Sequence, residues 1–352
     1  MAKANSKFKT IRVERLRGIK YTDVQELSHV NVFFGKNNCG KSTLLEAIFL
    51  LTGQSNPTLP VKINNARGYS DLDNYNDVQI EFYNLKTDVP IIIESKGEES
   101  RHLEISAIQS ISHEVDFTTE GSTHSEMTDS YFGLKLKYAD DKSSEIIFKD
   151  SYEQSKARTR IDNRYHEIWT ARLINSRNPY TISDVTDKLA TIIANKQKEP
   201  IISVLRVIEP KLNDILVVGT KIMVDIGQTQ YLPIQVMGDG IWRILSVIVH
   251  IYENRNGIVL VDEVDNGLHF SVMPQLWEAI FQAGLSSNVQ LFATTHNLDS
   301  IKGLNKVIER NPEYSNLMSS YKLVKTKEDK IEAIRYDAEH LDFMVEQEIE
   351  MR

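Results

Sequence analysis

The run Gly35-Lys36-Asn37-Asn38-Cys39-Gly40-Lys41-Ser42 follows an apolar stretch at 30–34 and opens a second one, KSTLLEAIFLL, at 41–51. Glycines at both ends let backbone N–H groups converge on an anion, and a helix N-terminus behind them adds its dipole. A strand before and a helix after are the context in which such a run reads as a P-loop. Lys41 would reach the β- and γ-phosphates, Ser42 would ligate Mg²⁺, and Thr43 ends the phosphate-binding run.

Three further sets fit the same chemistry. GIVLVDE at 257–263 puts four apolar residues in a buried strand and two carboxylates where it emerges. Asp262 would hold Mg²⁺ through water, leaving Glu263 as the candidate general base for an attacking water. QLFATTHN at 290–297 delivers His296 beside the γ-phosphate, about one strand-helix unit later. MGDGIWRIL at 237–245 sets Gly238 and Gly240 at the start of an apolar helix, a second anion site with no lysine of its own. Taken singly, an acidic pair can simply solvate a strand end and a glycine turn can simply cap a helix.

The elements that must position these residues are legible in outline. Residues 8–14 have β character, the chain pauses at Arg17, Gly18 and Ile19, and 30–34 leads into the glycine loop. The segment 54–77, rich in Asn, Pro, Gly, Ser and Asp, reads as a long surface loop. Short strands are expected at 78–83, 89–94, 131–138 and 145–149, an antiparallel β-subdomain, while 97–128 is poor in pattern. Residues 151–220 read as a helical subdomain, with periodicity over 183–194 and 201–213. After strands at 215–226 and a helix at 241–252 come strand 258–261, helix 272–283, strand 289–293 and helix 298–303, an order typical of a parallel sheet. The segment 321–349 reads as two strands and a helix. The expected fold is α/β, one composite domain with an N-terminal lobe at 1–150, the helical subdomain and a C-terminal lobe at 221–352.

The 352 residues exceed what one core usually supports, which fits lobes. With 41% apolar and 26% charged residues the composition is that of a globular protein. No apolar run approaches the roughly 20 residues of a membrane helix, and the polar start MAKANSKFKT lacks a signal-peptide core, so a cytoplasmic location is expected. A single cysteine, Cys39, excludes an internal disulfide. It reads as a small packing residue, although a thiol so near phosphates would confer sensitivity to alkylation.

A net charge of -8 gives no whole-protein attraction to nucleic acid, so such contact needs a local patch. One candidate is 156–177, with Lys156, Arg158, Arg160, Arg164, Arg172 and Arg177 against Asp162 and Glu167, and Tyr165 and Trp169 interleaved. A solvated helical face is the other reading, and it also suits the acidic tail of Glu346, Glu348 and Glu350.

The order of P-loop, glycine turn, Asp-Glu strand end and histidine resembles the ABC-type ATPase heads. RLRGIK at 15–20, VDEVDNGLHF at 261–270 and TTHN at 294–297 are similar to the OLD-like, RecF- and SMC-related branch. The resemblance covers about 8–53 and 201–350 and is weak over 84–200. It implies an ABC-type P-loop NTPase head using ATP and Mg²⁺, closing as a homodimer or higher even oligomer. Gly238, Asp239 and Gly240 would take the signature role against the partner's γ-phosphate, and Asp265 and Asn266 would form the loop touching the opposite site. Met237 departs from the transporter-type signature by standing in its serine-like place. Gln54 and Gln79 compete for the ligand-sensing glutamine.

The resemblance also implies a separate effector, in OLD-like systems a Toprim nuclease, acting in anti-phage defence. The chain ends soon after the ATPase core, so that effector is expected on another protein. A RecF-like factor that binds DNA directly is the alternative, supported by the basic segment and opposed by net charge. A transporter subunit is disfavoured by the RLRGIK start and the altered signature.

Overall fold

The computed structural model describes residues 6–69, 75–114, 127–139, 141–150, 157–162, 164–175, 182–337 and 340–341. The chain opens with β1 (Ile11–Leu16) and β2 (Ile19–Val24), then β3 (Val30–Phe34) and α1 (Lys41–Thr52). α2 (Leu59–Ala66) and α3 (Tyr75–Gln79) follow, then the antiparallel lobe of β4 (Ile91–Ser95), β5 (Arg101–Glu114), β6 (Met127–Tyr138), β7 (Lys142–Asp150) and β8 (Arg158–Arg160). β9 (Ala171–Ile174) precedes the helices α4 (Ile182–Ala194) and α5 (Glu199–Leu205). β10 (Asp214–Val218), β11 (Lys221–Asp225) and β12 (Leu232–Pro233) form a small antiparallel sheet. The chain continues through α6 (Asp239–Glu253), β13 (Ile258–Val261), α7 (Met273–Ser287), β14 (Gln290–Thr295), α8 (Leu298–Arg310), β15 (Met318–Lys325) and β16 (Lys330–Tyr336).

The large sheet is 13-stranded and mixed, ordered β8-β7-β6-β5-β4-β1-β2-β16-β15-β3-β14-β13-β9. From β15 to β9 neighbouring strands are parallel. The register sets Thr295 beside Phe34, Val261 beside Ala293 and Val261 beside Ile174, so β3, β14, β13 and β9 end together. Ligands bind beyond the carboxyl ends of such strands.

β3, β13 and β14 are buried at every position and so are dominated by apolar residues, while the polar ones they carry are hydrogen-bonded: Asn31 to the Leu291 carbonyl, Gln290 to Phe8 and Thr294 to Asp262. Val30, Val32 and Phe34 face the core beneath α6, α7 and α8, while Phe33 faces the core beneath α1. Val259 and Val261 divide from Ile258 and Leu260 in the same way. Each such side chain contributes roughly 1.5–3 kcal/mol on burial. The far end of α1 is held by Arg101 of β5, whose Nη1 donates to the carbonyls of Leu51 at 3.1 Å and Thr52 at 2.6 Å. A guanidinium there also meets the negative end of the helix dipole.

Several expectations need correction. The expected loop at 54–77 contains α2, started by Pro60 in its first turn and anchored through buried Leu59 and Ile63. The strand expected at 78–83 is the end of α3 and a turn, because a helical turn is what puts Val78 into the core. The pattern-poor segment holds half of a long hairpin: β5 pairs with β6 from Leu103–Tyr138 to Glu114–Met127. The helical subdomain starts only at α4; before it β8 and β9 both join the large sheet. Its second helix stops at Leu205 rather than 213, ahead of Pro210, which disfavours helix at the residue before it. Of the helix expected at the C-terminus only His340 and Leu341 are described, both helical, and the acidic tail falls outside the described residues.

Candidate active site

The P-loop begins where β3 ends. Gly35 has φ 144 and a Cβ there would lie 2.6 Å from the Leu323 carbonyl oxygen, while at Gly40, φ 94, a Cβ would lie 2.3 Å from Ile331 Cδ1. Both positions therefore require glycine, since β15 and β16 press against the loop from behind. Gly40 caps α1 without a side-chain hydrogen bond, the arrangement that leaves first-turn N–H groups to an anion.

Lys41 is 7% exposed. Its Nζ donates to the carbonyls of Gly35 and Lys36, both at 2.8 Å. The ammonium is thus parked inside the loop it would serve. Cys39 is buried, and burial pushes its thiol up, with Lys41 opposing. This supports a packing role and argues against alkylation sensitivity, which needs an accessible thiolate.

Ser42 Oγ donates to both oxygens of Asp262, at 3.0 and 2.9 Å. Thr294 Oγ1 donates to Asp262 Oδ1 at 2.6 Å and accepts the Glu263 N–H at 2.8 Å. One β14 hydroxyl therefore fixes both acidic residues. Their surroundings then diverge: Asp262 is 6% exposed, whereas the Glu263 side chain is 33% exposed and reaches His296 Nδ1 at 3.6 Å. The first is committed and the second can meet a water. His296 is held by its neighbours, since Thr295 Oγ1 accepts the Asn297 N–H at 3.0 Å and Asn297 caps α8 by accepting from the Asp299 N–H.

A cleft of about 290 Å³ joins these groups, lined by Asn37, Asn38, Gly40, Lys41, Ser42, Thr43, Glu46, Arg67, Asn175, Asp262 and Glu263. Asn175, Glu46 and Arg67 are additions to the set read from the sequence. Asn175 stands at the end of β9, one residue past the Ile174–Val261 pairing, and so beside Asp262. It was hidden because β9 lay in a segment read as helical. Glu46 binds Arg67 Nε at 2.7 Å and Nη2 at 2.8 Å, and it also accepts from Arg17 of the RLRGIK turn. Arg17 in turn grips Glu81 through Nε and Nη2, both at 3.0 Å.

Neither competing glutamine enters the cleft. Gln54 lies beyond α1 and donates to the Tyr165 hydroxyl at 2.7 Å, and Gln79 ends α3. Gly238, with φ 90, caps α6 and Gly240 lies in its first turn, and neither is among the residues lining the cleft; nor are Asp265 and Asn266, while Asp239 begins α6. Asp265 is buried in its own chain, and that burial raises its carboxyl despite help from Thr295. Asn266, next to it, is exposed.

The basic segment is not a helical face. Arg158 and Arg160 lie exposed on edge strand β8, Arg164 pairs with Asp162 at 2.6 Å and Arg172 with Asp184 at 2.7 Å. Trp169 turns inward under Arg101 and against Phe8. Lys156 and Arg177 fall outside the described residues.

Over residues 30–301 the sequence matches the family model described as "AAA domain, putative AbiEii toxin, Type IV TA system". It is 24% identical to an "ATP/GTP phosphatase" of Helicobacter pylori, over 96% of this chain and 98% of that protein. Among solved structures it is similar to an SMC head bound to the C-winged helix domain of ScpA, at 10% identity, 94% and 98% coverage and TM-score 0.48. The SMC head of Thermotoga maritima is similar at 8% identity, 94% and 100% coverage and TM-score 0.43. The family match takes in the P-loop, the Asp262–Glu263 pair and His296, and the chain belongs to this AAA-domain family as a P-loop nucleoside triphosphatase.

Proposed function

We propose that the chain is an ATPase that closes as a dimer around ATP and thereby controls a separate effector. The observation that carries the hydrolytic part is the division between Asp262, buried and bonded to Ser42, and Glu263, open to water and beside His296. The name of the Helicobacter pylori relative, an ATP/GTP phosphatase, supports the same chemistry.

Hard oxygen donors on Ser42 and Asp262, with the Asn175 amide alongside, suit Mg²⁺. Among the described residues no group of three or more His, Cys, Asp or Glu could hold a metal, which fits an ion shared with substrate phosphates rather than caged by protein. When bound, the ion would neutralise charge developing on the phosphoryl oxygens. Lys41 leaves the Gly35 and Lys36 carbonyls for the phosphates, the α1 N-terminus binds their oxygens, Glu263 takes a proton from the attacking water, and His296 contacts the γ-phosphate.

Dimer closure rests on the turn at Gly238–Gly240. It opens α6 without a capping side chain, and Val236, 67% exposed, and Phe270, 61% exposed, are apolar side chains of the adjoining segments. A second copy would cover them while its nucleotide meets the turn. The family description names a "putative AbiEii toxin, Type IV TA system", which is compatible with an ATPase working in a multi-protein system; the separate Toprim-type nuclease and the anti-phage role are proposed from the motif resemblance. No helix among the described residues is long and apolar enough to cross a membrane.

Direct DNA binding is the second reading, favoured by Arg158 and Arg160 on the exposed edge strand. Two measurements separate these readings. Co-purification with the product of a neighbouring Toprim-type reading frame, with nucleotide-dependent nuclease activity, supports effector control. A salt-sensitive DNA shift by the isolated protein, lost in Arg158→Glu/Arg160→Glu, supports the other.

A further inference from the structure

We infer that Arg243 is a positioning residue for Glu263, tying the helix that follows the glycine turn to the general base of its own chain. This rests on the reading of Glu263 as base.

Glu263 adopts φ 48, a left-handed conformation that side-chain-bearing residues avoid unless their surroundings impose it. Its side chain is a third exposed, and its ion pair among the described residues, to His296 at 3.6 Å, is long. The direction of the side chain is therefore set mainly by the backbone. Three contacts fix that backbone. The N–H donates to Thr294 Oγ1 at 2.8 Å, and the carbonyl accepts the Asn266 N–H at 3.0 Å and Arg243 Nη2 at 3.0 Å. The first comes from the neighbouring strand and the second from the turn itself. Only the third comes from α6.

Arg243 lies in the early part of α6, close behind Gly240. Its side chain is partly buried, and its Nε is buried without a hydrogen-bond partner. The contact shown for this cation is to the Glu263 backbone carbonyl, so what it holds is the peptide. Leu268 and Val272 pack around Gly240, so the segment downstream of Glu263 also touches the start of α6. Gly238, φ 90, is the left-handed residue that leads into it. Anything that engages the glycine turn and shifts the first turns of α6 moves Nη2, and the peptide that aims Glu263 follows. In the proposed dimer the partner's nucleotide would be that engagement. Each base would then be aimed through contacts on the opposite nucleotide.

The test combines Arg243→Met, Arg243→Lys, Glu263→Gln and the Arg243→Met/Glu263→Gln double variant in the full chain. It reads kcat, the equilibrium Kd for a fluorescent ATP analogue, and the melting midpoint. Misaiming a base by a fraction of an ångström to an ångström costs about tenfold to a hundredfold in rate. Arg243→Met should therefore lose about tenfold or more in kcat with Kd within about twofold of wild type. Arg243→Lys, still able to donate one N–H to the carbonyl, should recover part of the loss. In the Glu263→Gln background, where there is no base left to aim, Arg243→Met should change the residual rate by less than about twofold. Should Arg243→Met fold poorly, Arg243→Gln replaces it in the same comparison. Wild-type kcat in the folded Arg243 variants overturns the inference. So does an equal fold-loss with and without Glu263, since Arg243 would then act elsewhere. If Glu263→Gln alone hydrolyses ATP normally, the base reading itself fails, a result separate from either.

Discussion

Ser42 and Asp262, separated by 220 residues of chain, meet at 3.0 and 2.9 Å across the mouth of the P-loop. The contact exists because β3 and β13 flank β14 in parallel register, so that the residues following each strand arrive at one edge. It also marks where a metal–phosphate complex would enter: the hydroxyl and the carboxylate, bonded to each other here, are the two groups that ion would separate.

Ser42→Ala and Asp262→Asn should therefore alter metal dependence more than nucleotide affinity. Hydrolysis should fall by about tenfold or more, and the Mg²⁺ concentration for half-maximal rate should rise. A Mg²⁺ titration of turnover checks this, and an unchanged half-point in both variants would remove Ser42 and Asp262 from the metal site.

Lys41→Ala deletes the buried ammonium now held by the Gly35 and Lys36 carbonyls. Charge-assisted contacts to phosphate are lost with it, and nucleotide binding should weaken by about a hundredfold or more. Retained affinity in isothermal titration would refute the P-loop assignment.

Gly240→Arg tests the second anion site without threatening the fold. A Cβ at Gly240 meets only Leu268 Cδ2 at 3.7 Å and Val272 Cγ1 at 4.0 Å, ordinary contacts, whereas Gly238 with φ 90 would be strained by any side chain. ATP should still bind the monomer, and ATP-driven association should disappear in light scattering. Association equal to wild type would count against the nucleotide-sandwich dimer.

His29 is buried ahead of β3, with Nε2 3.2 Å from the Gly284 carbonyl and Nδ1 without a partner. Burial pushes its pKa below the usual histidine range, the Gly284 carbonyl opposes, and Lys7 adds to the lowering. The neutral ring is thus favoured by folding, so its stability contribution is present above the ordinary value of about 6.5 and is lost as pH falls through the lower folded value. His29→Gln should flatten the acid side of the melting-temperature profile between pH 8 and 5. An acid slope identical to wild type would assign that loss to other groups.

How much of this was legible in the sequence follows from range of interaction. β3, β13 and β14 declare themselves because burial on both faces writes an apolar run, and the residues just past each run are the site. Their helices are readable for the same reason, α6 within two residues at each end. Asn175 was not legible. β9 is four residues long with two polar neighbours, and only its pairing with β13 makes it a strand. Arg67 was lost with α2, whose polar face resembles a loop. The hairpin of β5 and β6 escaped because its far half carries few apolar residues and rests on ladder hydrogen bonds between distant segments. Asp265, which the resemblance puts in a loop facing the opposite site, is buried by the packing of its own chain, and no local pattern in the sequence marks that.

The division of labour between Glu263 and His296 is the core of the account, and ATP turnover with dimer population in Glu263→Gln and His296→Ala measures it most directly. Glu263→Gln keeps shape and hydrogen bonding but cannot take a proton, so it should bind ATP, accumulate as the closed dimer and lose hydrolysis by a factor on the order of 10² or more. His296→Ala would remove the proposed γ-phosphate contact, so it should slow hydrolysis while reducing the closed dimer. Wild-type turnover in Glu263→Gln, or the same dimer population in both variants with ATP, would contradict the assignment of base and phosphate sensor.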